Sequence, residues 1–355
     1  MRIRVGSRRR VLSAPRPQIW WAGCLLAGAY ACVGAAARAQ EPEEVDLSAK
    51  QRILPAIGPG LRAVRQGADG RLYVLASPSP GLVVVDTKGK QLLSIAESSP
   101  SVAGTSGNSG AAPMTFGDDC DVDAEGKIYV ADRGANLIRV FSGDGMPLGS
   151  IPVKNPVSVA AMPEGEIAVA TLREPHLVMV FDRNGKEVRE FGDPEPISER
   201  ADLNRFLNIG QLGADAQGHL YYAFGYLPEP TVRQYDHLGY AGQDIQYTAI
   251  DAMPTAVAMR KEIERQERKA KEPFFRRVLT GVGVDHSNGE VWIALNNNLL
   301  HFDAAGTRLA TYKIYTPQGA RLEANTILIQ KEQLIIGSDP LGLYLFDRPD
   351  KKSTK

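Results

Sequence analysis

The sequence predicts an all-β fold in which one unit recurs about six times along the chain. Three observations predict it: turns that contain glycine alternate with short strands, apolar residues occupy every second strand position, and most units close on an aromatic residue followed by Asp. β-branched and aromatic residues at this period suit a half-buried pleated surface, and Asp and Gly supply the turns. A single four-stranded sheet cannot bury both of its faces, so neighbouring copies must stack around an axis. The fold class is therefore a six-bladed β-propeller.

Five copies of the unit are clear and the sixth is short. The clearest copy runs over 123–132 and 137–145, and the sixth, over 333–337 and 343–347, lacks an obvious outer strand. The glycines that precede the central strand in the five clear copies are Gly70, Gly126, Gly165, Gly218 and Gly289.

The missing outer strand is predicted near the N-terminal end of the propeller. Residues 51–57 resemble the strand that follows the closing glycine in other copies, such as 92–95. If this segment completes the last blade, the ring closes by pairing its two ends and leaves no loose seam.

The repeat resembles that of the NHL family. The likeness rests on the pattern Gly-x-Ile-Tyr-Val-Ala-Asp, then Ile-x-Val-Phe, then Gly, which the second copy matches well and the other copies match in part. It covers most of residues 51–349 and implies a six-bladed propeller. Because the resemblance is to a structural repeat, it implies a fold more than a chemistry.

Two insertions interrupt a single propeller domain predicted over residues 40–350. Residues 96–114 are rich in Ser, Gly, Ala and Pro, which predicts a flexible loop. Residues 253–277 predict a helical insert, because Pro254 suits a first helical turn and neither Gly nor Pro follows over 256–271.

The surface of this insert is basic on an otherwise acidic protein. It is interpreted as a cap over one mouth of the propeller, as a dock for an acidic partner, or as a solvated helix with no further role. We expect Phe274 and Phe275 to hold its end against the propeller, and residues 351–355 to form a disordered tail. The basic residues are Arg260, Lys261, Arg265, Arg268, Lys269 and Lys271.

Residues 1–39 read as an export signal peptide. A head with six arginines precedes an apolar run over 19–37, and Ala37-Arg38-Ala39 offers a cleavage site that leaves a chain beginning at Gln40. An uncleaved membrane anchor is the alternative, since the run is nearly long enough to span a bilayer. Residues 7–12 resemble a twin-arginine signal, and a generic basic head is the other interpretation. The predicted location is periplasmic or secreted.

Charge and cysteine content narrow the function classes. Seven of the 41 basic residues and none of the 41 acidic ones precede Gln40, so the remaining chain has a formal charge of −7. This argues against a nucleic-acid partner and against an anionic membrane held by bulk charge, and we expect no stable membrane insertion after cleavage. Cys120 is the one cysteine after the leader, which excludes an intramolecular disulfide there. A buried inert thiol is favoured for it over a nucleophile.

The candidate ligand-binding residues lie in the loops between the two central strands of each blade. Propellers generally bind ligands at the channel mouth where such loops converge. This set is polar and mixed in charge, and for each member a solvated turn residue is the alternative interpretation. The candidates are Asp132, Arg133, Asn136, Arg173, Glu174, His176, Tyr226, Glu229, Asn296, Asn297, Asn298 and Asp339.

Two enzyme families with six-bladed propellers suggest an alternative function. Similarity to gluconolactonases would imply Ca²⁺ on the axis, for which Asp132, Asn296, Asn297 and Asp339 have suitable oxygen atoms, although the family's motifs are not matched around them. Similarity to amidating lyases would imply Zn²⁺ held by histidines, but His219, His237 and His286 fall at turns, His301 falls in a strand, and only His176 is placed near the mouth.

The function predicted from the sequence is therefore binding. An exported propeller presents its channel-mouth loops to a protein, peptide or carbohydrate ligand and needs no cofactor. The alternative is a metal-dependent hydrolase or lyase with Ca²⁺ or Zn²⁺ on the axis, and no catalytic residue is assigned.

Overall fold

Six sheets arranged as a six-bladed β-propeller make up the part of the chain that the computed structural model describes. The predicted export segment, most of the loop predicted over 96–114 and the tail over 351–355 lie outside the described residues. Those described are 44–54, 59–77, 81–86, 88–96, 114–172, 175–249, 252–269 and 272–349.

Each blade is built on four strands that follow one another in the chain, except that the N-terminal strand β2 completes blade six. The strands of blades one to three are β3 (Leu61–Gln66), β4 (Leu72–Ala76), β5 (Gly81–Val85), β6 (Gln91–Ile95), β7 (Gly117–Val122), β8 (Ile128–Asp132), β9 (Leu137–Phe141), β10 (Pro147–Pro152), β11 (Pro156–Ala161), β12 (Ile167–Thr171), β13 (Val178–Phe181) and β14 (Glu187–Phe191). Those of blades four to six, with two N-terminal strands, are β15 (Gly210–Ala214), β16 (Leu220–Phe224), β17 (Thr231–Tyr235), β18 (Ala241–Gln246), β19 (Leu279–Val284), β20 (Val291–Leu295), β21 (Asn298–Phe302), β22 (Arg308–Tyr315), β23 (Thr326–Ile329), β24 (Gln333–Ser338), β25 (Gly342–Asp347), β1 (Glu44–Ser48) and β2 (Gln51–Leu54).

The first strands of the blades form the wall of a central channel. In the order β3, β7, β11, β15, β19 and β23, each contacts the next, and the last contacts the first. The second strand of each blade is covered on both faces by neighbouring sheets: every residue of β4, β8, β12, β16 and β20 is buried. The half-buried pattern expected from the repeat is thus absent from these central strands, which are fully enclosed, while the outer strands β6, β10, β14 and β18 are mostly exposed.

The predicted closure of the ring is confirmed over Gln51–Leu54. This strand, β2, pairs antiparallel with β25, with Gln51 opposite Leu345 and Leu54 opposite Leu343. Ile53 and Leu54 pack against the core between blades six and one. Residues 55–58, which include the rest of the predicted strand, lie outside the described residues.

One strand was missing from the sequence-based prediction. β1 runs parallel to β22 and extends blade five to five strands, with Glu44 opposite Thr311 and Ser48 opposite Tyr315. Most of its residues are exposed, so its polar sequence carries no burial signal that would distinguish it from a loop.

The helical insert is present as α2 (Met253–Glu267), and a second helix, α1 (Ala201–Leu207), precedes blade four. The two pack together on the core of blades four and five through residues that include Leu207 and Met259. Phe275 is buried as expected, but Phe274 is 83% exposed, so the expectation that it holds the insert in place was wrong. None of the helices in the described segments is long and apolar enough to cross a bilayer.

The predicted basic surface of α2 is largely neutralised. Within Met253–Glu267 three basic residues are matched by three acidic ones. Arg265 pairs with Glu262 on the same helix, and Arg260 pairs with Glu229 of blade four. These pairs attach the helix to its own propeller, which weakens the interpretation of α2 as a dock for an acidic partner.

A buried polar network joins the first four blades along the channel wall. Arg65 of blade one donates to Asp119 Oδ1 of blade two at 2.9 Å, and its Nε lies 3.7 Å from Asp121 Oδ1. The Ser158 hydroxyl of blade three donates to Asp119, and the Leu212 N–H of blade four donates to Ser158 Oγ at 2.9 Å. Burial raises the pKa of both carboxyl groups, and Arg65 opposes that shift. The network therefore depends on one guanidinium between two desolvated carboxyls.

Blades five and six are joined instead by close backbone approach. A Cβ at Gly281 would lie 2.9 Å from the Asn325 carbonyl oxygen, and one at Gly283 would lie 2.9 Å from the Ile327 carbonyl oxygen. Only glycine fits between these strands, and neither glycine needs an unusual backbone conformation for it.

Deleting residues 44–54 is expected to destabilise the whole propeller. It removes three half-buried aliphatic side chains, the buried Ala49 and two rows of backbone hydrogen bonds, which together contribute about 3 kcal/mol or more. Chemical unfolding followed by near- and far-ultraviolet circular dichroism should show one transition at lower denaturant. Leu54→Ser should reproduce part of the loss, whereas Leu92→Ser on the outer strand β6 should not. An unchanged transition after the deletion contradicts the role of β2 in closure.

Arg65→Met is expected to lower the free energy of unfolding by about 3–5 kcal/mol, because it leaves the buried carboxyl group of Asp119 and the half-buried one of Asp121 without their counter-ion. The matched control is Arg189→Met, which removes an arginine that pairs with Glu166 at a site where both side chains are 26% exposed. We expect the control to lose about 1 kcal/mol or less. If the two variants lose the same free energy of unfolding in urea, the inter-blade network stabilises the fold no more than the pair of Arg189 and Glu166 does.

Candidate functional site

The channel has two mouths, which different loops surround. The upper mouth is formed by the loops between the second and third strands of the blades and by the segments that enter the first strands. Backbone hydrogen bonds join these two sets, for example from Arg133 N to Phe116 O at 3.0 Å and from Gly225 N to Ile209 O at 2.9 Å. The lower mouth is formed by the turns between first and second strands. The predicted ligand-binding loops, where the structure describes them, lie at the upper mouth.

Asp132 organises the upper mouth of blade two. Its side chain is completely buried, and its carboxylate accepts hydrogen bonds from the backbone N–H groups of Thr115 and Phe116, each at 2.9 Å. Arg139 Nε donates to the same carboxylate at 2.7 Å. All these partners lie within the chain, so Asp132 holds the segment entering β7 rather than facing a ligand.

A charged cluster is built on the segment that Asp132 holds. The guanidinium groups of Arg62 and Arg133 lie 5.3 and 5.1 Å from the centre of the Phe116 ring, at cation–π distance. Arg133 Nε forms an ion pair of 2.5 Å with Asp118, whose side chain is 13% exposed. Arg62 Nε is buried and has no hydrogen-bond partner among the described residues. The unpartnered Nε donor of Arg62 thus belongs to the same cluster as the largely buried ion pair of Arg133 and Asp118.

Strand irregularity places Arg62 and Asp118 in this cluster. Each is the second residue of the first strand in its blade, where the pairing register skips one residue, as it also does at Val157 and Thr280. A bulge of this kind takes its residue out of the ladder and redirects the side chain, and bulges are frequent beside functional sites.

A third arginine acts electrostatically on the cluster from another blade. Arg277, which precedes β19 of blade five, acts electrostatically on Asp118 together with Arg62 and Arg133. Arg277 Nε donates to the Tyr226 hydroxyl at 3.4 Å, and the Tyr226 ring packs on Phe206 of α1 at 4.8 Å. The helical insertions therefore supply one wall of the upper mouth. Burial raises the pKa of Asp118 even though the three arginines oppose it.

The other predicted residues mostly tie loops together. Asn136 Oδ1 accepts from Asn155 N at 2.9 Å, and Asn297 Nδ2 donates to Leu322 O at 3.3 Å. Asp339 Oδ1 accepts from Gly60 N at 2.8 Å, which joins blade six to the start of blade one.

The last few candidates differ in position. Asn296 occupies a left-handed turn position with φ of 54°, and Asn298 begins β21. Glu229 pairs with Arg260, and His176 Nδ1 lies 3.8 Å from Asp193 Oδ1, away from the arginine cluster. Arg173 and Glu174 lie outside the described residues. Of the predicted set, the structure brings Arg133 and Tyr226 to the cluster.

A cavity of about 570 Å³ opens at the lower mouth. Aliphatic side chains and backbone line most of it, and its charged groups are already partnered: Asp121 by Arg65, and Asp123 by the Tyr129 hydroxyl at 2.9 Å. His286 also lines it and is exposed. The cavity has a ligand's size, but the carboxylates that line it have partners within the chain.

The His, Cys, Asp and Glu side chains of the described residues do not gather into a metal centre. The described residues contain no group of three or more such side chains placed to hold an ion. The carboxylates of Asp132 and Asp339, proposed from the resemblance to lactonases, accept hydrogen bonds from backbone N–H groups. His219 pairs with Asp215 at 2.8 Å and His301 with Glu290 at 3.0 Å, so neither is directed at the upper mouth.

Cys120 is buried in the core between blades one and two, as favoured from the sequence. Burial raises the pKa of its thiol, which disfavours the reactive thiolate.

Sequence reasoning missed Arg62, Asp118 and Arg277, because it searched only the loops between central strands. A signal was present: Arg62-Ala63-Val64 and Asp118-Asp119-Cys120 occupy equivalent places before the repeat glycines. The approach of Arg277 depends on the fold of the helical insert, for which the repeat supplies no template.

Asp118→Asn is expected to leave the fold at least as stable as the wild type at neutral pH. The folded-state pKa of Asp118 lies above the unfolded value, so its contribution to stability is full at acidic pH and is lost as pH rises through the folded-state pKa. The free energy of unfolding of the variant should equal or exceed that of the wild type at neutral pH, and the difference should vanish at acidic pH. A variant whose thermal midpoint falls below that of the wild type at neutral pH would show that the ion pair with Arg133 outweighs burial.

Comparisons with known proteins support the fold. No family model matches the chain, and no curated protein matches it. Among solved structures it is similar to a gluconolactonase from Xanthomonas campestris, with 14% identity over 84% of this chain and 89% of that one and a TM-score of 0.53. It is also similar to U3-55K, with 11% identity, 82% and 96% coverage and a TM-score of 0.52. A streptogramin B lyase matches with 13% identity, 84% and 86% coverage and a TM-score of 0.50. At these identities the likeness shows a β-propeller and no more.

Proposed function

We propose that this chain is an exported binding protein that holds a peptide or carbohydrate ligand in the upper mouth of its propeller. One observation carries the proposal: the guanidinium groups of Arg62 and Arg133 both lie on the Phe116 ring at that mouth, where Arg133 pairs with Asp118 and Arg62 Nε is buried without a hydrogen-bond partner among the described residues. A structural ion pair with Asp118 does not need this second guanidinium group. Burying charged groups such as these lowers the stability of the fold, and charged groups that persist in a cleft despite that loss are typical of a functional site.

The surroundings of the cluster suit recognition rather than chemistry. Phe116 and Tyr226 present aromatic walls, and loops of several blades meet there on a rigid scaffold. The basic groups are arginines, which do not lose their charge in proteins and therefore do not act as bases at physiological pH.

The metal-dependent alternative has less support. The amide and carboxylate oxygens proposed for Ca²⁺ are in part engaged by backbone groups, and the histidines proposed for Zn²⁺ are dispersed over the lower face, a strand and the rim. The gluconolactonase and lyase names belong to distant structural neighbours and do not favour catalysis in this chain.

A binding screen with a matched pair of variants tests the proposal. The full chain is applied to carbohydrate and short-peptide arrays, and each hit is re-measured with Tyr226→Ala at the upper mouth. The control is Tyr240→Ala, which makes the same change at a 71% exposed turn of the same blade. We expect Tyr226→Ala to weaken binding by about tenfold or more, as for loss of an aromatic contact, and Tyr240→Ala to leave it unchanged.

Thermal unfolding of both variants separates loss of contact from loss of fold. If the affinity of the array ligands is unchanged by Tyr226→Ala, in a variant that remains folded, the upper mouth is not the binding site. An array without any hit would count against the binding role itself.

A further inference from the structure

The arginine cluster around Phe116 is locally basic. Arg62 and Arg133 both lie at cation–π distance from the Phe116 ring, and Arg133 forms an ion pair with Asp118. Arg277 also acts electrostatically on Asp118. The cluster therefore contains more guanidinium groups than carboxylates, whereas the chain after residue 39 has a formal charge of −7.

The arginines of the cluster also have free hydrogen-bonding capacity. Arg62 Nε is buried without a hydrogen-bond partner among the described residues, and its guanidinium contacts the Phe116 ring instead. Arg277 makes one long hydrogen bond of 3.4 Å to the Tyr226 hydroxyl and lies 5.9 Å from the centre of the same ring. An unpartnered buried N–H costs stability, and an acceptor that arrives with a ligand would recover it.

We propose that the upper mouth recognises a carboxylate group on its ligand, with Arg62 and Arg277 as the principal donors. The inference rests on the proposed binding function and specifies its chemistry. A carboxylate matches the planar fork of a guanidinium and can accept two parallel hydrogen bonds from it. Asp118 already forms an ion pair with Arg133 Nε from within the chain.

The charge of Asp118 favours a carboxylate over a phosphate ester. Its carboxylate remains inside the cluster, and a dianionic phosphate beside it would meet stronger repulsion than a singly charged carboxylate. Asp118 therefore acts as a selectivity residue: it offsets part of the arginine charge and disfavours more highly charged anions. The two sources of a ligand carboxylate are a sugar acid and an acidic peptide.

Titration calorimetry of the full chain with paired probes tests the inference. D-glucuronate is compared with D-glucose and with glucose 6-phosphate, and an acetyl-Ala-Glu amide is compared with acetyl-Ala-Gln amide. We expect one of the two carboxylate probes to bind about tenfold or more tightly than its neutral partner, the loss expected for one charge-assisted hydrogen bond. Which carboxylate binds identifies the source.

Variants then locate the effect. Arg62→Gln should weaken the carboxylate probe by about tenfold or more, and Arg189→Gln, which removes an arginine from blade three away from the mouth, should not. Asp118→Asn should tighten binding of the carboxylate probe and raise the relative affinity for glucose 6-phosphate. Circular dichroism of each variant confirms the fold.

The failures of the two proposals are distinguishable. A ligand that depends on Tyr226 but is unaffected by Arg62→Gln would overturn carboxylate recognition and leave binding at the upper mouth standing. Equal affinity for charged and neutral probes, no binding of either carboxylate probe, or a preference of the wild type for glucose 6-phosphate would each overturn the inference.

Discussion

The pairing of β2 with β25 is the contact on which the rest of the structure depends. The four-stranded core of five blades forms from consecutive segments of the chain, but blade six takes its outer strand from residues 51–54. The first and last parts of the propeller are thereby joined by a row of backbone hydrogen bonds. The arginine cluster requires this closure, because Arg62 enters from the blade that follows the seam and Arg277 from the other side of the ring.

The channel wall explains why one mouth is free for binding. Towards the lower end, Arg65, Asp119, Asp121 and Ser158 satisfy one another across three blades. Towards the upper end, bulges in the first strands take Arg62 and Asp118 out of the regular ladder. Asp118 pairs with Arg133, but Arg62 Nε has no hydrogen-bond partner among the described residues. The same strands therefore provide inter-blade cohesion at one end and free hydrogen-bonding capacity at the other.

The repeat predicted the architecture because turn glycines and enclosed central strands are dictated by local geometry. Blade number, ring closure and the helical insert follow from such signals. β1 has too little buried surface to produce a recognisable pattern in the sequence. The site was predicted less well. Asp132 is a residue type that often contacts ligands, but its carboxylate accepts hydrogen bonds from Thr115, Phe116 and Arg139 instead. Arg277 joins the cluster through tertiary packing that no repeat pattern encodes.

Hydrogen–deuterium exchange with the tightest-binding array compound tests most directly whether the upper mouth holds the ligand. The account predicts slower exchange in residues 114–118, 133–136 and 272–280, which surround the arginine cluster. The lower-mouth turns over 66–70, 122–126 and 284–288 should exchange as in the free protein. Protection confined to those turns would place the ligand in the lower cavity and contradict the account.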